Sequence, residues 1–81
     1  MQISIEFFGV SVPTSGAEAL RRLDLAIDPP MLLADLLALL DDRWELETSD
    51  KTVLLNGVYE APTYALQDGD QVQILRMMQG G

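Results

Sequence analysis

The chain reads as a single α+β domain, a sheet of four to five strands packed on one main helix. Three observations carry that reading. Apolar residues alternate in runs near both ends of the chain, a leucine-rich stretch of helical period lies between them, and two glycine turns, Asn56-Gly57 and Asp68-Gly69, each precede a strand-like run. At 81 residues the chain can build one modest core and not two.

Over residues 2–10, Ile3, Ile5 and Phe7 point one way while Ser4, Glu6, Phe8 and Val10 point the other, the pattern of a half-buried strand. Residues 11–17 include Pro13, Ser15 and Gly16, a loop composition. Leu23, Leu25 and Ile27 then alternate with Asp24, Ala26 and Asp28, so a hairpin is expected. Asp28 is placed to cap a helix, with Pro29 at its first position, where a missing N–H costs nothing. The helix expected over residues 29–42 carries Leu32, Leu33, Leu36, Leu37, Leu39 and Leu40 on one wide stripe, with Asp35 and Asp42 opposite. Such a stripe is core, and Trp44, near the same face, closes its end. The run Thr52-Val53-Leu54-Leu55 leads into Asn56-Gly57, a strong hairpin signal, and a strand over residues 58–61, ended by Pro62, is expected next. After Asp68-Gly69, Val72 and Ile74 take one face of a last strand, and Gln71, Gln73, Leu75 and Met77 the other. The expected order is β-β-α-β-β-β, without repeat, linker or low-complexity segment.

Composition removes several function classes. An apolar fraction of 48% argues for a folded globule rather than a disordered chain. No apolar run reaches the length of a membrane span, and Met1-Gln2-Ile3-Ser4 lacks the basic segment of a secretory leader, so the reading is cytoplasmic, with no membrane partner. Without cysteine there is no disulfide, thiol nucleophile or thiolate metal site; without histidine the commonest general base and metal ligand are missing. No metal site is expected. Thirteen acidic against five basic residues give a net charge of −8, which repels nucleic acid and anionic lipid and favours a basic protein surface. For most of these side chains the charge does no more than keep the protein soluble.

The sequence closes on Gly80-Gly81 after Ile74-Leu75-Arg76-Met77-Met78. Two residues without Cβ atoms can pass through a channel closed to bulkier ones. If Leu75 or Met77 is the last residue held by the fold, the remainder reaches roughly 13 to 20 Å at ~3.3 Å per residue. That length can carry a terminal carboxylate into another protein's active site. Two glycines are equally the composition of a frayed end, and the ending alone leaves both readings open. The expected division is a domain over residues 1–78 and a flexible diglycine tail over residues 79–81.

The hairpin, the leucine-rich helix, Val53-Leu54-Leu55-Asn56-Gly57, Leu66-Gln67-Asp68-Gly69-Asp70-Gln71-Val72-Gln73-Ile74 and the closing Gly80-Gly81 together resemble the β-grasp sulfur carriers of the MoaD/ThiS type. These relatives of ubiquitin include the small subunit of molybdopterin synthase and the thiamine-pathway sulfur carrier. The resemblance spans essentially the whole chain. Each motif is generic; their order, spacing and the diglycine are specific in combination. Phe7-Phe8 tilts the resemblance toward the molybdopterin synthase subunit. Where that family commonly has proline, valine and a small residue before the diglycine, this chain has Met77-Met78-Gln79, which leaves the pathway open.

The resemblance implies a mixed β-grasp sheet with its first and last strands side by side. It also implies partners that do the chemistry. A ubiquitin-activating-type adenylyltransferase of the MoeB/ThiF kind would use ATP to turn the Gly81 carboxylate into an acyl adenylate, and a sulfur donor would then displace the nucleotide. The resulting thiocarboxylate would serve a sulfur-accepting synthase, either the molybdopterin synthase large subunit or thiazole synthase. On this resemblance the chain is a carrier and not an enzyme, binds no cofactor itself and is a monomer when free. Gly81 is the reacting residue, with Gly80, Gln79 and Met78 as the inserted tail.

If Ile3, Ile5, Val72 and Ile74 face the helix, then Phe8, Leu75 and Met77 share the open face of the sheet, a candidate partner-binding surface. The alternative is that residues 11–17 or 62–67 cover Phe8 or Leu75. Arg76 either meets an acidic groove on the activating enzyme or is a solvated charge at a strand end. Asp68 and Asp70 flank a turn glycine, where aspartate caps local N–H groups rather than binding metal. Two other classes stay open. One is a modifier forming isopeptide bonds, for which the single lysine, Lys51, leaves little scope for chain building; the other is an interaction module with an incidental diglycine.

Overall fold

Alternation in the first strand sets the architecture. Ile3, Ile5 and Phe7 of β1 (Gln2–Phe8) are buried, and their neighbours Ser4, Glu6 and Phe8 are not. The computed structural model describes residues 1–10 and 21–76. Within them β2 (Arg22–Ala26) runs antiparallel to β1, with Leu25 opposite Ile3 and Leu23 opposite Ile5. After α1 (Leu33–Trp44) and a 3₁₀ turn (Thr48–Asp50), β3 (Lys51–Leu55) pairs antiparallel with β4 (Gln71–Arg76). β4 lies parallel to β1, giving a mixed sheet in the order β2-β1-β4-β3. Ile3, Ile5, Val72, Ile74, Leu36 and Leu40 are fully enclosed between sheet and helix.

The helix begins four residues later than the sequence expects, and Asp28 is not its cap. Pro30 disfavours the α conformation at Pro29, so the helix cannot start there. Leu32, extended at φ −87°, is the capping residue; its N–H donates to Asp35 Oδ2 at 3.2 Å. The first helical amides are satisfied from a distant segment: Leu33 N–H donates to the Tyr64 carbonyl (2.8 Å) and Ala34 N–H to that of Pro62 (3.0 Å). Leu32 therefore leaves the core stripe and is exposed. Leu33, Leu36 and Leu40 form the buried ridge, with Leu37, Leu39 and Trp44 packed partly against it. At the far end Glu45 takes a left-handed conformation, and Asp41 accepts from both the N–H (2.8 Å) and the hydroxyl (3.0 Å) of Thr48.

Two further expectations change. The strand expected over residues 58–61 reduces to a single rung, Leu55 with Val58, closing a tight turn in which Asn56 and Gly57 both have positive φ. Residues 58–61 have no buried face, with Val58 54% and Tyr59 77% exposed, and the chain beyond them runs to the start of α1. Val10, expected beside Ser4 and Glu6, is instead buried, because Gly9 at φ +66° ends the strand and reverses the alternation.

Candidate functional site

The parallel pairing of β1 with β4 places Phe7 opposite Ile74 and Phe8 opposite Leu75. Phe7 is 6% exposed and Phe8 45%, so one rung serves the core and the next looks outward. Leu75 is half-buried beside Phe8, and neither the segment 62–67, engaged at the helix start, nor any other described residue hides Phe8; residues 11–17, the other expected cover, lie outside the described residues. β3 extends this surface: Thr52 lies opposite Leu75 and Leu54 opposite Gln73. Leu54 was not singled out from sequence because Val53-Leu54-Leu55 is continuously apolar. Only the buried Leu55 fixes Leu54 on the open face.

The same face is polar at its other end. Ser4 Oγ donates to Asp24 Oδ1 (2.9 Å), and Arg22 donates to Asp24 Oδ1 (3.2 Å) and to Ser4 Oγ (3.2 Å). The Ser4 hydrogen bond, aided by Arg22, holds the Asp24 carboxyl below its ordinary value. β1 and β4 run the same way, so the apolar end is the end where the chain leaves β4. Arg76, exposed, is the last described residue there, and its Cβ lies 3.8 Å from where a Cβ on Gly9 would sit. Met77, Met78, Gln79, Gly80 and Gly81 lie outside the described residues.

With this architecture in place, comparison with known proteins is decisive. The model of the ThiS family matches residues 5–81. The chain belongs to the ThiS family. No curated protein shares significant sequence similarity with it. Among solved structures it is similar to SAMP1 from Haloferax volcanii, at 20% identity, full coverage of both chains and a TM-score of 0.75. A chain of the complex of subunits 1 and 2 of molybdopterin-converting factor from Helicobacter pylori matches at 23% identity, full coverage of both chains and a TM-score of 0.69. Urm1 from Trypanosoma brucei matches at 22% identity and a TM-score of 0.69, covering 99% of this chain and 95% of its own. These likenesses establish the β-grasp, ubiquitin-like fold.

The paired aspartates of this ThiS-family chain are structural. Asp68 Oδ1 accepts from Gln2 N–H at 2.7 Å, fastening the turn before β4 to the start of β1. Asp70, buried, accepts from Gln67 N–H (2.8 Å) and Asn56 Nδ2 (3.0 Å), while Asn56 Oδ1 accepts from Gln71 N–H (2.9 Å). Both of its oxygens are therefore engaged. Desolvation, with the Asp70 charge second, raises the Tyr64 phenol above its ordinary value. Among the described residues no group of three or more His, Cys, Asp or Glu side chains is arranged to hold a metal ion, and no helix is long and apolar enough to cross a membrane. A wide depression lined by Asp41, Glu45, Glu47 and Ser49 shares no residue with the Phe8 face.

Proposed function

We propose that the chain is a sulfur carrier whose Gly81 carboxylate is activated by a partner adenylyltransferase and converted to a thiocarboxylate. One observation carries the reading: a family match extending to Gly81, on a fold whose apolar open face lies at the end where β4 finishes at Arg76. A carboxylate is a poor acyl donor because its charge repels nucleophiles and oxide is a poor leaving group. Attack of its oxygen on the α-phosphorus of ATP releases pyrophosphate and gives an acyl adenylate. A sulfur donor then displaces AMP, leaving the sulfur on Gly81. Every catalytic side chain belongs to partners; this chain contributes the tail Met78, Gln79, Gly80 and Gly81, and docks through Phe8, Leu75, Met77 and Arg76. ATP is bound by the partner and no cofactor by the carrier.

We place the acceptor in molybdopterin synthesis, with the synthase large subunit as partner. The Phe7-Phe8 pair supports this, as does the Helicobacter pylori protein, which is assembled with a second subunit. The alternative acceptor is thiazole synthase of the thiamine pathway. Likeness to a Haloferax volcanii protein named as a small archaeal modifier favours a second reading, isopeptide conjugation from the same activated intermediate. Incubation with a cognate adenylyltransferase, ATP and a sulfur donor should raise the intact mass by the difference between one sulfur and one oxygen. Deleting Gly81 should abolish that change and leave the fold intact. Conjugates to lysines of other proteins as the sole product would favour the modifier reading, and no activation by any partner would end the carrier reading.

A further inference from the structure

We infer that Asn56 is a site of spontaneous conversion to aspartate or isoaspartate that Asp70 holds in check, and that the conversion unfastens the Asn56-Gly57 turn from β4. The reaction needs only that turn and water. The Gly57 amide nitrogen attacks Asn56 Cγ; the N–Cγ bond forms, the Cγ–Nδ2 bond breaks, and ammonia departs with the proton lost from the Gly57 N–H. Water then opens the cyclic imide at either carbonyl, giving aspartate or isoaspartate.

The tip of the turn suits that step. Leu55 and Val58 exchange both backbone hydrogen bonds (2.7 and 3.1 Å), and among the described residues the Gly57 N–H between them donates to no acceptor. Gly57 has no side chain to obstruct ring closure, and no described atom lies within 4 Å of where a Cβ on it would sit. Asn56 is exposed to the water that the second step consumes.

The Asn56 side chain is held at both ends by the start of β4, with opposite effects. Gln71 N–H donates to Oδ1 (2.9 Å), draws charge onto that oxygen and so favours attack at Cγ. Nδ2 donates to Asp70 Oδ1 (3.0 Å), and a carboxylate there favours the planar, conjugated amide, a poor electrophile whose planarity attack must break. Asp70 is buried, so this bond to a charged acceptor is of the strong kind. Once Asn56 has converted, the donor is gone. A second carboxylate then faces Asp70 across the same gap, where like charges repel and a buried acceptor is left unpaired.

The test ages the full chain in mildly alkaline buffer at a temperature where every variant compared is folded by circular dichroism. Conversion is read as the intact-mass gain of OH over NH2, located at Asn56 by peptide mapping. Asp70→Ala should convert about tenfold faster than the wild type, and Asp70→Asn, which keeps one acceptor and the packing, at a rate in between. Leu36→Ala, which loosens the core without touching the turn, should stay within about twofold of the wild type. Should Asp70→Ala not fold, Asp70→Asn against the wild type decides. Asn56→Asp should melt below Asn56→Gly, which suits the positive φ and adds no charge. Combining Asn56→Asp with Asp70→Asn exchanges donor and acceptor and should melt above Asn56→Asp alone. No conversion at Asn56 in any variant, equal rates in the wild type and Asp70→Asn, or a Leu36→Ala rate raised as much as those of the Asp70 variants overturns the inference. Asn56→Asp melting at or above Asn56→Gly, or no recovery in the exchanged pair, overturns it as well.

Discussion

Phe7 and Phe8 are identical neighbours with opposite surroundings. Phe7 is 6% exposed on the rung shared with Ile74; Phe8 is 45% exposed on the rung shared with Leu75. The aromatic ring has the same affinity for an apolar environment in both places, so the difference is one of parity. Successive strand residues face opposite sides of the sheet, and a slip of one residue would exchange the two roles. One phenylalanine meets its apolar surroundings within the chain, and the other is left facing outward on the open side of the sheet.

The largest test of this contrast is truncation. Phe7→Ala should destabilise the protein by about 3 to 5 kcal/mol in urea unfolding, and Phe8→Ala by less than about 1 kcal/mol. Equal losses would remove the distinction between the two faces. Leu36, fully buried beneath the same sheet, should cost about 2 to 5 kcal/mol when replaced by alanine. A loss below ~1 kcal/mol would place another helix face against the strands. Phe8→Glu addresses the other side of the contrast. It should leave unfolding nearly unchanged yet weaken association with the synthase partner by about 2 kcal/mol or more, read by titration calorimetry. Unfolding of this variant, rather than loss of binding, would return Phe8 to the core.

The smallest effect lies at the polar end of the open face. Asp24 has its folded pKa lowered below the ordinary 3.8, first by Ser4 and then by Arg22. Its contribution is therefore present above about pH 4 and is lost as pH falls through the lowered folded value. Asp24 is exposed, so the effect is small. Stability curves of the wild type and Asp24→Asn should converge in acid, and curves that stay parallel down to low pH would show the Ser4–Asp24 contact to be without influence.

Much of this arrangement was legible in the residues. Period-two alternation located β1 and β2, the leucine stripe located α1, and Asn56-Gly57 located its turn, because each signal is local and strong. The start of the helix was not legible. Asp28-Pro29 is a sound local signal, but Pro30 and the carbonyls of Pro62 and Tyr64, far along the chain, decide where the first turn forms. The extra strand over residues 58–61 failed for a related reason, since its β-forming residues have no surface to cover. On the open face of the sheet, Phe8 and Leu75 followed from alternation. Leu54 joined them only once the ladder register was known, and register between distant strands leaves no local trace in the sequence.

The position of β4 also bears on how the molecule is made. Residues 71–76 are synthesised after the other three strands, yet they fill the interior of the sheet between β1 and β3. A growing chain can form the β1–β2 hairpin and α1, but Ile5 and Phe7 lack their neighbours Val72 and Ile74 until β4 emerges. Closure between such distant segments is entropically demanding and is the slow kind of contact in folding. The Phe8–Leu75 surface consequently arises in the same event that anchors the chain just before residue 77. A ribosome-bound or truncated chain lacking β4 has no assembled Phe8–Leu75 surface, so that face exists only in chains that already carry residues 71–76.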